Sequence, residues 1–96
     1  MQHAAFDQPG EPSVLYLAES PVPDIKDDQV LIQVKAIGVN RPDILQRQGA
    51  YPPPADASPI LGLEVAGIIA EAGAQASWFQ PGQRVVALCN GGGYAE

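Results

Sequence analysis

The sequence has very few of the side chains that build disulfides or metal sites: one cysteine, Cys89, and one histidine, His3, among 96 residues. A single thiol cannot close an intrachain disulfide. Two isolated soft ligands cannot form a structural zinc site of the cysteine-rich kinds. Such sparse use of cysteine is typical of a reducing compartment, so we expect a cytoplasmic protein.

Basic residues and long apolar runs are also scarce. The five Lys and Arg residues are scattered singly, and the formal net charge is -6. Because no basic stripe is available to neutralise phosphates, neither nucleic acid nor an anionic membrane is an expected partner. The longest apolar run covers residues 65–70, whereas a bilayer span needs about 20 residues. The first residues also lack the basic and apolar regions of a signal peptide.

Turn-forming residues, by contrast, are abundant. Ten glycines and ten prolines occur in the chain, roughly twice their ordinary usage. This composition favours short strands joined by turns over long helices. With 46% hydrophobic and 17% charged residues, the chain is apolar enough to form a folded core. Its length fits one small domain or part of a larger protein.

The hydrophobic pattern predicts a small, mainly β domain of the barrel or sandwich-like type. The strongest signal lies in residues 29–39, where apolar and polar side chains alternate with a period of two. Gly62 and Gly67 lie inside a later apolar segment and indicate a bend or the close approach of another backbone. The predicted strands are residues 3–6, 14–18, 29–39, 60–72 and 84–88.

One short helix is predicted over residues 41–48. Asn40 is suited to the N-cap, Pro42 to the first turn and Asp43 to the positive end of the helix dipole, and Gly49 ends the helix. Residues 51–59 contain four prolines and form a loop, since each proline removes a backbone donor. Residues 91–93 are three glycines. They predict a turn, because no helix follows to direct N–H groups at a phosphate.

Several other residues carry simpler expectations. Glu64 is expected to be a buried acid paired with a basic group or backbone donors, so it is left out of any catalytic set. Trp78 and Phe79 are expected to form a hydrophobic plug under a turn. Cys89 has no basic neighbour in the sequence to lower its pKa, which favours an inert thiol. Residues 94–96 enter a further strand, so we expect the chain to be the front part of a longer protein.

Four stretches together resemble a known family: VNRPDILQRQGAYPPP, ILGLEVAGIIAEAG, PGQRVVAL and GGGYAE. They are similar in order and spacing to the N-terminal, GroES-like domain of the medium-chain dehydrogenase/reductase superfamily. The first stretch resembles the zinc-free, zeta-crystallin-like NADPH:quinone oxidoreductases. The resemblance implies a GroES-like partial barrel with short helices over residues 1–96. That domain would be truncated, with the Rossmann cofactor domain absent from this chain.

The same resemblance implies a function and a set of residues. It implies hydride transfer from NADPH to a quinone in a cleft lined by Asn40, Tyr51 and Leu45, with no residue assigned a catalytic role. Asn40 would be an amide partner for the cofactor or for a substrate oxygen, and Tyr51 a stacking wall with a hydroxyl. Some quinone reductases of the family carry a second tyrosine where Leu45 stands, so this pocket is expected to be more apolar.

Zinc is not expected as a cofactor. The zinc-dependent members of the superfamily have a cysteine where this sequence resembles them at Asn40, and a Gly-His-Glu where it has Gly62, Leu63 and Glu64. Neither an asparagine nor a leucine side chain replaces thiolate or imidazole as a good ligand of Zn²⁺. The resemblance therefore implies chemistry without a metal.

Two alternative functions stay open at this point. The same cleft can present hydride to an activated alkene, which would make the protein an enone or enal reductase. The chain can also be a free-standing, non-enzymatic GroES-like binding module. For the enzyme, the resemblance implies that the fragment alone is inactive and that the full-length protein is a homodimer. The choice between NADPH and NADH depends on residues after position 96.

Overall fold

The computed structural model describes residues 1–96 and shows a mainly β chain with one α-helix. The number and order of the strands agree with the prediction, and the last strand has the predicted bounds. A 3-10 helix, Pro12–Val14, precedes the second strand. In chain order the elements are β1 (Gln2–Ala5), β2 (Tyr16–Glu19), β3 (Val30–Ile37), α1 (Arg41–Arg47), β4 (Glu64–Ala72) and β5 (Arg84–Leu88).

The strands form two antiparallel sheets that the last residues of the chain join. β1 pairs with β2, and β3, β4 and β5 form a three-stranded sheet in that order. The Ala4 N–H donates to the Tyr94 carbonyl over 2.9 Å, and the Val34 N–H donates to the Glu96 carbonyl over 3.1 Å. The predicted strand entry at residues 94–96 therefore lies between β1 and β3, which gives the fold its partial-barrel form.

The core lies along β4, the central strand of the larger sheet. Val65, Gly67 and Ile69 alternate on its buried face. A Cβ on Gly67 would overlap the carbonyl oxygen of Gln33 on the neighbouring strand. The pairing of β3 with β4 also shifts register between Val34 and Ala36. The prediction that another backbone approaches closely at Gly67 is thus confirmed.

β4 is shorter than the apolar run that predicted it, because it begins at Glu64 and not at residue 60. Gly62 has a φ of +107°, which interrupts the extended backbone. The carbonyls of Ile60 and Gly62 accept hydrogen bonds from the N–H groups of Gly92 (2.7 Å) and Gly93 (3.0 Å). Residues 60–63 therefore pack against the glycine-rich turn instead of extending the sheet.

Two further predictions were wrong in detail. The second strand starts at Tyr16 and not at residue 14, because Pro12 fits the first turn of a 3-10 helix, which then occupies residues 12–14. Trp78 and Phe79 do not form a buried plug, since they are 84% and 44% exposed. The small side chain of Ala76, 5% exposed, occupies the buried position in that turn.

The helix α1 spans the seven residues Arg41–Arg47, one residue less than predicted. Gln48 is its C-cap, and Gly49, with a φ of +84°, ends it as predicted. No helix in the structure has the length and apolar character needed to cross a membrane.

Candidate active site

Asn40 lies between the end of β3 and the start of α1, where it is the N-cap of the helix, as predicted. Its backbone is extended, with φ -124° and ψ 160°. Its N–H donates to Oδ2 of Asp43 over 3.0 Å, while the Asp43 N–H donates to the Asn40 carbonyl, also over 3.0 Å. These two bonds close the first turn and hold the main chain of Asn40 in place.

The carboxyl group of Asp43 is buried beneath this turn, and the side chain is 2% exposed. Its Oδ2 also accepts a hydrogen bond of 2.8 Å from the hydroxyl of Tyr94, 51 positions later in the chain. Its Oδ1 is buried and has no hydrogen-bond partner. Sequence reasoning gave Asp43 only a role at the helix start. The acid three residues after the N-cap was a visible signal, but the contact with Tyr94 was not.

The Tyr94 hydroxyl keeps its proton far into the alkaline range. Burial raises the pKa of Tyr94 to about 12, and the hydrogen bond to Asp43 and the negative charge of that carboxylate act in the same direction. The positive charge of Arg47 acts against them. Tyr94 is therefore a hydrogen-bond donor at neutral pH and stabilises a buried carboxylate.

Glu64, the first residue of β4, is exposed. The prediction of a buried acid, paired with a basic group or with backbone donors, was therefore wrong. Oε1 of Glu64 accepts a hydrogen bond of 3.4 Å from Nδ2 of Asn40. The same oxygen lies over Gly38, where a Cβ would overlap it. No salt bridge involves Glu64, since the structure has one ion pair, between the N-terminal amine of Met1 and Glu19.

Tyr51 follows α1 and is 39% exposed. It lines a cavity of about 460 Å³ between β1 and the proline-rich loop. Gln46, 8% exposed, also lines the cavity, and its Nε2 donates to the carbonyl of Pro59 over 3.2 Å. A mostly apolar cavity with a few polar groups is the usual form of a small-molecule site. The other lining side chains include His3, Phe6, Pro52, Pro53 and Ile60.

The three expected cleft residues lie on one short segment but do not share this cavity. Asn40 begins α1, Leu45 is half-buried within it, and Tyr51 follows its end. Only Tyr51 is among the residues that line the cavity. The structure therefore brings Asn40 next to Asp43 and Glu64, and it brings Tyr51 next to β1.

The glycine-rich turn of residues 91–93 is a structural turn, as predicted. The N–H groups of Gly92 and Gly93 donate to the carbonyls of residues 60 and 62, so neither is available to a phosphate. The neighbouring Cys89 contacts the Gly62 carbonyl through Sγ at 3.7 Å. Burial raises the pKa of the Cys89 thiol, as does the charge of Asp43, while a hydrogen bond from Gly91 lowers it. The net rise agrees with the expected inert thiol.

The structure contains no group of three or more His, Cys, Asp and Glu side chains placed to hold a metal ion. Asn40 and Leu63, which the sequence resemblance implied to stand at the ligand positions of the zinc-dependent proteins, carry an amide and an alkyl group. An amide and an alkyl group form a poor donor set for Zn²⁺.

Residues 26–96 match the family described as the alcohol dehydrogenase GroES-like domain. The chain belongs to this family. Over 93 residues this GroES-like domain is 43% identical to the quinone oxidoreductase of Homo sapiens, covering 91% of the chain and 27% of the human protein. It is also 36% identical over 87 residues to erythronolide synthase EryA2 of Saccharopolyspora erythraea, covering 86% of the chain and 2% of that protein.

Among solved structures, the GroES-like domain superposes on Escherichia coli quinone oxidoreductase complexed with NADPH. The TM-score is 0.81 and the identity 36%, over 92% of this chain and 27% of the other. This confirms the expected fold, the GroES-like domain found in the N-terminal portion of quinone oxidoreductases of the medium-chain dehydrogenase/reductase superfamily. The chain spans about a quarter of the length of the quinone oxidoreductases that it matches.

Proposed function

We propose that this domain is the substrate side of an NADPH-dependent quinone oxidoreductase, which transfers a hydride from NADPH to a quinone without a metal. The observation that carries the proposal is the superposition on a quinone oxidoreductase that was solved with NADPH. In this proposal a Rossmann domain outside residues 1–96 holds most of the cofactor. The complete protein is a homodimer that acts in the cytoplasm.

The residues of this chain fit the nicotinamide end of the dinucleotide better than its phosphates. The N–H groups of Gly92 and Gly93 are already paired, so the glycine-rich turn offers no cradle of backbone donors to the phosphates. Asn40 and Tyr51 carry the amide, the hydroxyl and the ring that suit a flat, polar nicotinamide or quinone. NADPH supplies the hydride when it is bound. The chain's own residues then hold the ring of the acceptor against the cofactor and exclude water.

A metal is not needed for this reaction. A quinone accepts hydride readily because its product is aromatic, so its carbonyl does not have to be polarised by a Lewis acid. The donor set at Asn40 and Leu63 agrees with this, since neither side chain is a good zinc ligand. Protons for the product come from water or a nearby hydroxyl, and we assign no catalytic residue.

Reduction of an activated alkene is the second candidate. The similarity to erythronolide synthase EryA2 shows that this domain type is not confined to proteins named quinone oxidoreductase. An enone or enal accepts hydride at its β-carbon in the same kind of cleft. The two candidates therefore differ in the acceptor and not in the cofactor.

The oxidation of NADPH by the protein that carries its cofactor domain tests the proposal. We expect kcat/KM for ortho-quinones to exceed that for enones by about tenfold or more. A faster reaction with enones would favour the alkene reductase instead. Residues 1–96 alone serve as the control. We expect this isolated domain neither to bind NADPH nor to support turnover, and tight binding of NADPH by it would contradict the proposal.

A further inference from the structure

The main chain of Asn40 has little freedom to move. Its N–H is bound to Oδ2 of Asp43, and the hydroxyl of Tyr94 holds the same oxygen. Because Asp43 is buried, this anchor is shielded from competition with water. The direction in which Asn40 presents its amide therefore depends on the side-chain torsions and on the groups that the amide faces.

Glu64 is the group that faces the Asn40 amide. Its Oε1 lies 3.4 Å from Nδ2 of Asn40. The strand end holds Glu64 in position, because the Gly38 N–H donates to the Glu64 carbonyl over 3.0 Å. The missing side chain of Gly38 provides the room that the Glu64 carboxylate occupies. No basic side chain forms an ion pair with Glu64 and competes for this carboxylate.

The chemistry of the two groups selects one orientation of the amide. An ionised carboxylate has only acceptors, whereas an amide has a donor end and an acceptor end. With Nδ2 towards Glu64 the pair forms a charge-assisted contact, and the flipped amide would bring two oxygens together. The orientation of an asparagine side chain is decided by such partners. Here Glu64 leaves Oδ1 of Asn40 as the end available to a ligand.

We propose that Glu64 is a positioning residue, which turns the Asn40 amide so that Asn40 offers its carbonyl oxygen to the bound ligand. The ligand group that meets Asn40 is then a hydrogen-bond donor. This inference rests on the proposed function for the identity of the ligand. The carbonyls of a quinone are acceptors only, while NADPH has donors, the NH₂ of its carboxamide and its ribose hydroxyls. Asn40 therefore recognises the dinucleotide and not the quinone oxygen.

Nuclear magnetic resonance of the ¹⁵N-labelled protein tests the orientation without any activity measurement. The side-chain amide signals of Asn40 should shift in Glu64→Gln, which removes the charge. They should also shift in Gly38→Ala, which displaces the carboxylate while keeping it. Glu71→Gln is the matched control, an exposed acid at the other end of the same strand, and should leave these signals unchanged. If the Asn40 side-chain signals shift in neither Glu64→Gln nor Gly38→Ala, the positioning role is wrong.

Moving the carboxylate from Glu64 to position 40, and an amide to position 64, tests which end of the Asn40 amide binds the ligand. Asn40→Asp keeps a good N-cap and the acceptor, but it places two carboxylates face to face. We expect it to weaken NADPH binding by about tenfold or more. The double variant Asn40→Asp with Glu64→Gln restores a donor–acceptor pair and leaves an acceptor for the ligand. Its Kd for NADPH should return to within about threefold of the parent protein.

The outcomes separate this inference from the proposed function. If the double variant binds NADPH as weakly as Asn40→Asp alone, then the NH₂ group is the end that meets the ligand, and the inference is wrong while the function stands. If the Asn40 signals respond to Glu64→Gln but the parent protein does not bind NADPH, the positioning role stands and the proposed function fails. Urea unfolding of each variant separates a loss of binding from a loss of fold.

Discussion

At the residue scale, Asp43 connects two parts of the chain that are far apart in sequence. Its carboxylate accepts one hydrogen bond from the Asn40 backbone and one from the Tyr94 hydroxyl, and its second oxygen has no partner. A buried carboxylate with so few donors depends strongly on each of them. The position of Asn40 is thus tied to a tyrosine next to the glycine-rich turn.

Removal of the Tyr94 hydroxyl tests this dependence. Tyr94→Phe leaves the buried Asp43 with one donor fewer, and we expect the free energy of unfolding to fall by about 1–3 kcal/mol. Tyr16→Phe is the control, because Tyr16 makes a similar bond of 2.7 Å to Asp7 at an exposed site. Loss of this exposed hydrogen bond should change the free energy of unfolding by less than about 0.5 kcal/mol. Equal effects of the two substitutions in urea unfolding would contradict the role of the buried pair.

The raised pKa of Tyr94 predicts how stability depends on pH. The folded protein holds the phenol proton up to about pH 12, whereas the unfolded chain loses it near the ordinary value of 10.0. Between these values the folded state binds more protons, so stability should fall as the pH rises from 10 towards 12. Part of this fall should disappear in Tyr94→Phe. A pH profile of the unfolding midpoint that is identical in the parent and the variant would show that Tyr94 titrates normally.

Local signals in the sequence predicted the start of the helix, but they could not predict contacts between residues far apart in the chain. The pattern of Asn40, Pro42 and Asp43 was sufficient to place an N-cap and a short helix. The burial of Asp43 depends on Tyr94, which no local pattern connects with the helix. Glu64 was expected to be buried because its neighbours are apolar, but it is the first residue of β4 and its side chain is exposed.

At the scale of elements, the close crossing of two loops determines where β4 begins. The backbone around Gly62 runs against that of Gly93 and Tyr94, with hydrogen bonds between them. A Cβ on Gly62 would lie 2.6 Å from the backbone nitrogen of Tyr94. An apolar run shows that a segment is buried, but it does not show where its hydrogen-bonding partner changes. The sequence therefore predicted one long strand where the structure has a loop and a strand.

Comparing Gly62→Ala with Gly82→Ala separates the free-energy cost of a steric clash from that of a positive φ. Both glycines have positive φ values, +107° and +94°, but a Cβ on Gly82 would meet nothing within 4 Å. We expect Gly82→Ala to lower the free energy of unfolding by about 1–2 kcal/mol, the cost of the backbone conformation alone. Gly62→Ala adds a backbone clash and should lower it by a further 1–3 kcal/mol or so. Chemical denaturation measures both values, and equal losses would mean that the loops can separate freely.

At the scale of the whole molecule, residues at the end of the chain join the two sheets into a partial barrel. Composition and strand patterns predicted a mainly β fold, because glycine and proline favour turns between short strands. The family was indicated by the resemblance of four stretches of sequence. The cavity beside Tyr51 could not be predicted, since it is formed by β1 and by a loop about 50 residues later. That Asn40 and Tyr51 face one ligand belongs to the proposed function.

The rate of quinone reduction without metals tests the central claim most directly. The protein that carries its cofactor domain is treated with a chelator, transferred to metal-free buffer and assayed with NADPH and an ortho-quinone. Because the side chains of Asn40 and Leu63 are poor ligands of Zn²⁺ and the proposed reaction needs no metal, we expect kcat to stay within about twofold of the untreated protein. A loss of activity that added Zn²⁺ restores would contradict the account.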